Sequence, residues 1–162
     1  MGKLFEAVAS LAGLRQEISY SSQALWEMES AADPDESAAY TFEVRATGDG
    51  KQEINPLPLI RAVVEDVRTR VSLKIISARF HNGVAKLVFD ICTEMRTHYH
   101  INRVALSGEV WQNMLLLERT THILNRGGFE VYTHHLVPPT SACVSLGQAV
   151  IAGCRAVAGR GA

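Results

Sequence analysis

Cysteine is scarce. The 162-residue chain holds three, Cys92, Cys143 and Cys154, an odd number at wide spacing with no C-x-x-C pair. That excludes a disulfide framework and suits a reducing compartment. An excess of charge of one sign is also missing. Sixteen Lys and Arg stand against 17 Asp and Glu, a net charge of -1, with a pI of about 6.6. A basic nucleic-acid footprint is therefore absent. Long apolar runs are missing too. The most apolar stretch, Ala142 to Ala158, is interrupted by Ser145, Gln148 and Arg155. It falls short of the ~20 apolar residues that a bilayer span needs, and it reads as a buried core helix. The opening Met1-Gly2-Lys3-Leu4-Phe5-Glu6 has no long apolar run behind a basic segment, so no secretory signal is expected. The expectation is a soluble, cytoplasmic protein with no nucleic-acid or membrane partner.

What remains is ordinary globular material, 47% hydrophobic and 20% charged. The length fits a single domain over 1–162, and disorder is excluded by composition. Leu4, Phe5, Val8, Leu11 and Ala12 recur at helical spacing, with Gly13 as a stop. A second helix is expected over Ser21 to Ala31, ended by Asp33-Pro34-Asp35. Tyr40, Phe42 and Val44 alternate as a short strand. Thr47 to Lys51 is a turn-rich loop. Asn55-Pro56-Leu57-Pro58 opens a helix carrying Ile60, Val63, Val64 and Val67. A longer helix covers Leu73 to Met95. Arg103 to Leu106 is a buried strand, turned at Ser107-Gly108 into a helix with Leu115, Leu116 and Ile123. Asn125-Arg126-Gly127-Gly128 stops that helix. Phe129 to Thr133 is another strand, and Val144 to Val157 the last helix. The chain thus divides into a helical part, 1–100, and a strand-turn-helix part, 101–162. The fold class is α/β, with a parallel strand pair joined by a right-handed crossover.

Several blocks resemble, in order and spacing, the C-terminal portion of the HypF-type carbamoyltransferases of nickel–iron hydrogenase maturation. They are Gly2 to Ala9, Ile18-Ser19-Tyr20 with Gln23-Ala24, Asn55 to Ile60, and Arg79-Phe80-His81-Asn82. The most specific are Val104 to Gly108 with Val110-Trp111-Gln112-Asn113, and Val137-Pro138-Pro139 followed by Ser145 to Ala149. The resemblance covers nearly the whole chain. It implies part of a ribonuclease-H-like, actin-like ATPase lobe, helix-rich, with a short, mainly parallel sheet. In the full-length family, carbamoyl phosphate and ATP form a carbamoyl-adenylate. The carbamoyl group then passes to a C-terminal cysteine of a maturation partner. The implied cofactors are ATP and a divalent metal. The implied nucleotide-binding residues are Gly2, Glu6, Ser107, Gly108 and Asn113. The glycine turn agrees, because a strand, a tight turn and a helix N-terminus can offer free N–H groups to an anion. An ordinary strand-to-helix turn accounts for the same spacing.

Three departures from the family pattern bear on catalysis. Glu109 stands where the family has a second glycine. A carboxylate there repels a phosphate by about 1–4 kcal/mol. Thr140-Ser141-Ala142-Cys143 replaces an asparagine-aspartate-glycine-glycine run, and neutral Ser141 is a poor ligand for a hard cation. Glu6 replaces an aspartate. The family's two-histidine metal motif and its glycine-rich phosphate hairpin also precede the matched region.

Other candidates have plainer explanations. His98 and His100 at strand spacing, with His134-His135 at the end of another strand, could join in a metal site. No Cys or Asp completes a ligand pattern, so surface or loop positions are preferred. Cys92 lies on an apolar helix stripe as core. Cys143, near a helix N-terminus, could be a nucleophile, but no His partner is identifiable and packing is preferred. Trp26 and Trp111 read as packing or interface residues. The expectation is a truncated or degenerate carbamoyltransferase domain, inactive alone. The alternatives are one subunit of a split enzyme, completed by a separate N-terminal chain, and a non-catalytic interaction module. A homodimer or that complementary chain is expected as partner. The grounds are an open edge expected on Val104–Leu106 and an uncovered stripe of Leu4, Phe5, Val8 and Leu11.

Overall fold

The computed structural model describes residues 1–47 and 52–158; the expected loop over Thr47 to Lys51 lies largely outside them. Six α-helices and four short strands follow in order: α1 (Gly2–Leu11), α2 (Gln23–Ala31), β1 (Glu43–Ala46), β2 (Gln52–Asn55), α3 (Leu57–Arg68), α4 (Leu73–Tyr99), β3 (Arg103–Ala105), α5 (Met114–Arg126), β4 (Glu130–Tyr132) and α6 (Val144–Ala158). The protein is a helix-rich α/β fold.

α2 and α5 pack along α4, the 27-residue helix at the centre, and α1 packs on α2 and α3. Its inward face presents Ile76, Phe80, Val84 and Ala85 to Phe5, Val8, Leu25, Met28, Leu59 and Val63, all buried. The Phe5 and Phe80 rings meet edge to face, 4.7 Å between centroids at 85°, a favoured aromatic geometry. Gly83 lets a second strand of backbone approach α4. A Cβ there would stand 2.5 Å from the Tyr40 carbonyl oxygen. The segment ahead of β1 is fixed at that point. The Tyr40 N–H donates to the Arg79 carbonyl, and Asn82 Nδ2 donates to the Glu36 and Ala38 carbonyls. A smaller core of Leu106, Leu124 and Phe129 joins β3, β4 and α5 to Val88, Phe89 and Cys92 of α4.

β3 and β4 pair in parallel, Arg103 opposite Glu130, Val104 opposite Val131 and Ala105 opposite Tyr132. This parallel pair was expected. The sheet is otherwise not mainly parallel. A separate antiparallel hairpin, β1–β2, runs from Glu43 opposite Asn55 to Ala46 opposite Gln52. The expected strand at Tyr40–Val44 starts later, because Tyr40 is spent on α4. β2 was not anticipated, since the Asn55-Pro56 helix start masked the extended residues before it. α4 continues four residues past Met95 and ends where His100 takes the left-handed conformation, φ 55°. His98 is therefore helical, and the strand pairing of His98 with His100 does not form. Among the described residues, no three His, Cys, Asp or Glu side chains gather as a metal-ligand set.

Two burial expectations reverse. The α1 stripe is covered within the chain: Phe5 and Val8 are fully buried, Leu4 is half-buried, and only Leu11 of the four is exposed. The last helix is not core. Every side chain from Val144 to Ala156 is exposed. No helix of the described residues is long and apolar enough to cross a membrane.

Candidate functional site

β3 ends at Ala105, and Leu106 turns inward as core while its N–H still bonds the Tyr132 carbonyl. The chain then reverses at Gly108, whose φ of 111° is open to glycine and strained for other residues. A four-residue 3-10 turn, Glu109–Gln112, follows. An α-helix N-terminus was expected directly after Gly108. Instead α5 starts five residues later, capped by Asn113, whose Oδ1 accepts from the Leu116 N–H at 2.8 Å. The reason is local. Asn113 is a strong N-cap, and Val110 and Trp111 pack on the core before the helix can begin.

This turn faces the start of α1 and the loop before α2. Together they line a cleft of about 560 Å³ that includes Gly2, Lys3, Glu6, Ser21, Ser22, Ser107, Gly108 and Glu109, over a floor of Leu25, Val84 and Leu116. Four of the five residues singled out in the sequence, Gly2, Glu6, Ser107 and Gly108, thus share one cleft across a hundred residues of chain. A Cβ at Gly2 or Gly108 would meet no atom within 4 Å, so both open onto free space. The Glu6 carboxylate pairs with Lys3 Nζ at 2.8 Å. The Glu109 carboxylate is held across the cleft by the Ser21 and Ser22 hydroxyls, both donating to Oε1. Ser22 adopts φ 63° there. The Ser107 hydroxyl lies 2.9 Å from His134 Nε2, a contact that the expected strand-end position of His134 did not reveal.

Asn113, the fifth, is fully buried behind the cleft. Its Nδ2 donates to the Leu25 carbonyl at 3.1 Å and to His81 Nε2 at 2.9 Å. His81 Nδ1 lies 2.8 Å from the Ser77 carbonyl, so Nδ1 carries the proton. Burial pushes the His81 pKa down to about 4; the Ser77 carbonyl opposes this and Arg119 adds to it. The imidazole is therefore neutral at pH 7. The Arg79–Asn82 block forms a second network with structural work. Arg79 bonds Glu36 and Asp66, the Tyr40 hydroxyl donates to Asp66 at 2.6 Å, and Arg119 donates to the Asp33 and Ala78 carbonyls. Burial raises the Tyr40 pKa, and the Asp66 carboxylate raises it further.

The remaining candidates fall outside the cleft. Cys92 packs in the smaller core, and burial pushes its thiol up. The Cys143 thiol donates to the Pro138 and Thr140 carbonyls, which ties it to its own loop. Ser141 opens a short 3-10 turn before α6, capped by Thr140. Trp111 is half-buried between the two cores, and exposed Trp26 sits beside Tyr20, ring centroids 5.9 Å apart.

The geometry has counterparts among known proteins. Residues 1–148 match the family model described as carbamoyltransferase, Kae1-like domain, second subdomain. Carbamoyltransferase HypF of Synechocystis sp. is 30% identical over 148 residues, 91% of this chain and 18% of that protein. A full-length HypF, solved in its phosphate- and nucleotide-bound form, superposes with a TM-score of 0.87 at 39% identity, over 94% of this chain and 20% of that one. The HypF of T. kodakarensis has the same fold, with a TM-score of 0.66 at 21% identity over 86% of this chain and 18% of its own. The chain spans about a fifth of the length of these relatives. By this match over nine-tenths of its length, the chain belongs to the HypF carbamoyltransferase family, in the second subdomain of the Kae1-like domain.

Proposed function

We propose that the chain forms one wall of a nucleotide site in a HypF-type carbamoyltransferase, within an actin-like, ribonuclease-H-like lobe. One observation carries this reading. Gly2, Glu6, Ser107 and Gly108 converge on one cleft, in a chain that superposes closely on a HypF determined with nucleotide bound. The two glycines leave room for a ligand to approach the backbone. The Ser107 hydroxyl and the Glu6 carboxylate are hydrogen-bonding groups of the kind that phosphate and ribose take. ATP is the proposed ligand. A divalent metal would enter with its phosphates.

In this reading the chain supplies binding and orientation, while the carbamoyl-transfer chemistry of hydrogenase maturation needs the rest of a HypF-type enzyme. By itself the chain does not turn over ATP with carbamoyl phosphate. Glu109 supports that limit, because its carboxylate is fixed inside the cleft where phosphate charge would lie. A second reading, a protein-interaction module that acts as a homodimer or with a complementary carbamoyltransferase chain, is favoured by the exposed apolar surface of α6. Light scattering across a dilution series of the chain separates a monomer from a homodimer.

Calorimetry with magnesium-ATP tests the nucleotide reading. The parent chain should bind weakly. Glu109→Gly should tighten binding by about tenfold, on the order of 1.4 kcal/mol, and Gly108→Trp should abolish it by filling the cleft. Absence of binding in every variant sinks the nucleotide wall. Micromolar affinity in the parent, unchanged by Glu109→Gly, sinks the electrostatic argument. AMP formation by the chain with carbamoyl phosphate, lost in Gly108→Trp, overturns the inactivity.

A further inference from the structure

The cleft wall leans on a set of buried hydrogen bonds that ends in a histidine. Asn113 closes the turn that starts at Gly108. Its N–H donates to the Val110 carbonyl at 3.2 Å, and the Trp111 N–H donates to the Gly108 carbonyl at 3.1 Å. The Asn113 side chain has a single satisfied orientation. Oδ1 is taken by the Leu116 N–H, and Nδ2 donates to the Leu25 carbonyl and to His81 Nε2. Leu25, Val110 and Leu116 all line the cleft, so the partners of Asn113 are cleft wall. His81 is fully buried, with Phe5 and Phe80 edge-on to its ring. An aliphatic side chain could fill that volume. It could not accept the second amide hydrogen of Asn113, and a buried donor without an acceptor drives rearrangement.

We propose that His81 is a positioning residue for this cleft: through Asn113 it fixes the Gly108–Gln112 turn against α2 and α5, without itself touching a ligand. Its consequence for ligand affinity rests on the nucleotide reading; its effect on the turn does not. Ser77 completes the device, since its carbonyl accepts the hydrogen bond from Nδ1–H and so leaves Nε2 as acceptor.

The test is amide hydrogen exchange on the full chain, followed by titration with magnesium-ATP. His81→Leu keeps bulk and removes the acceptor. His81→Gln restores an acceptor oxygen near the Nε2 position. Val63→Ala, at a fully buried site in α3, reports general destabilisation. In His81→Leu, exchange at Trp111, Asn113 and Leu116 should accelerate at least tenfold more than at the α4 core amides. His81→Gln should restore most of that protection, and Val63→Ala should raise exchange evenly. Should His81→Leu fail to fold, Asn113→Asp decides in its place. It keeps the α5 cap, loses both side-chain donors, and should give the same local signature. Uniform acceleration in the variant that is read, or no rescue by Gln, overturns the proposal. In the titration, loss of the acceptor should weaken ATP binding about tenfold. A flat ATP titration of the parent, with the exchange signature intact, removes the nucleotide reading and leaves the positioning role standing.

Discussion

The first and last helices carry similar apolar material and meet opposite fates. α1 buries Phe5, Val8 and Ala9 completely, against α2, α3 and the centre of α4. α6 leaves Val144, Leu146, Val150 and Ile151 each more than half exposed. The difference lies in the surface that each stripe meets. In α1 the apolar residues fall at i, i+3 and i+4, one stripe that fits one groove. In α6 Leu146, Val150 and Cys154 also recur at i, i+4 and i+8, but every residue from Val144 to Ala156 is exposed, so no surface among the described residues receives that stripe. Burial needs a one-sided stripe and a surface to receive it; apolar content alone is insufficient.

The largest test of that contrast is Phe5→Ala. Removing a fully buried ring should cost roughly 3–5 kcal/mol, seen as a lowered denaturant midpoint. A loss below about 1 kcal/mol would place α1 in the same class as α6. Next comes acid sensitivity of the body. His81 is held neutral in the folded state, with its pKa near 4, against about 6.5 unfolded. The unfolded chain therefore binds the extra proton between these values. The stability tied to neutral His81 is full above pH 6.5, is lost as pH falls towards 4, and amounts to roughly 3 kcal/mol. Arg119 is the charged neighbour that opposes protonation; the other groups packed on the ring, Ser77, Asn113, Phe5 and Phe80, do not ionise in that range. Urea denaturation between pH 4 and 7 should show this slope in the parent and a flatter one in His81→Gln. Equal slopes would mean that other groups set the acid limit.

A smaller effect is expected at Tyr40→Phe. It removes a hydrogen bond to the Asp66 carboxylate, worth roughly 1.5–3 kcal/mol for a charged acceptor. Thermal unfolding measures it, and an unchanged midpoint would show that Arg79 alone satisfies Asp66. The smallest effect belongs to α6. Ile151→Ala should move the unfolding midpoint by no more than about 0.5 kcal/mol, the usual range for exposed positions. A larger loss would show that α6 is covered in solution, and the contrast with α1 would fail.

Local periodicity made the helices legible. α1, α2 and α3 appear where their stripes or proline signals put them, and α5 carries its expected stripe but begins five residues late, after the Glu109–Gln112 turn. The limits of that legibility are equally physical. α4 has no breaker at Met95, so it runs on until His100 turns left-handed. β2 was hidden by the proline that starts α3. Within the site, glycines and charged residues could be picked out, but their convergence depends on α1, the loop before α2 and the β3 turn meeting in space. Asn113 shows the limit most clearly. It stood beside Gly108 as a candidate ligand residue, yet its amide is committed to Leu25, His81 and Leu116. One signal was available: Ser77 and His81 are polar at i, i+4 on a face otherwise built from Ile76, Phe80 and Val84. Polar residues on a core face need internal partners.

By itself the sequence determined the helical framework, the parallel β3–β4 pair, the absence of a disulfide scaffold and, through its joint motif pattern, the family. These are set by periodicity, turn residues and composition, which act over a few residues at a time. Only the tertiary structure decided that α1 is covered and α6 is not, that Glu109 is tied across the cleft to Ser21 and Ser22, and that His81 holds Asn113 inside the core. Each of those depends on groups tens of residues apart in the chain, and hydrogen bonds and packing reach only a few ångströms in space.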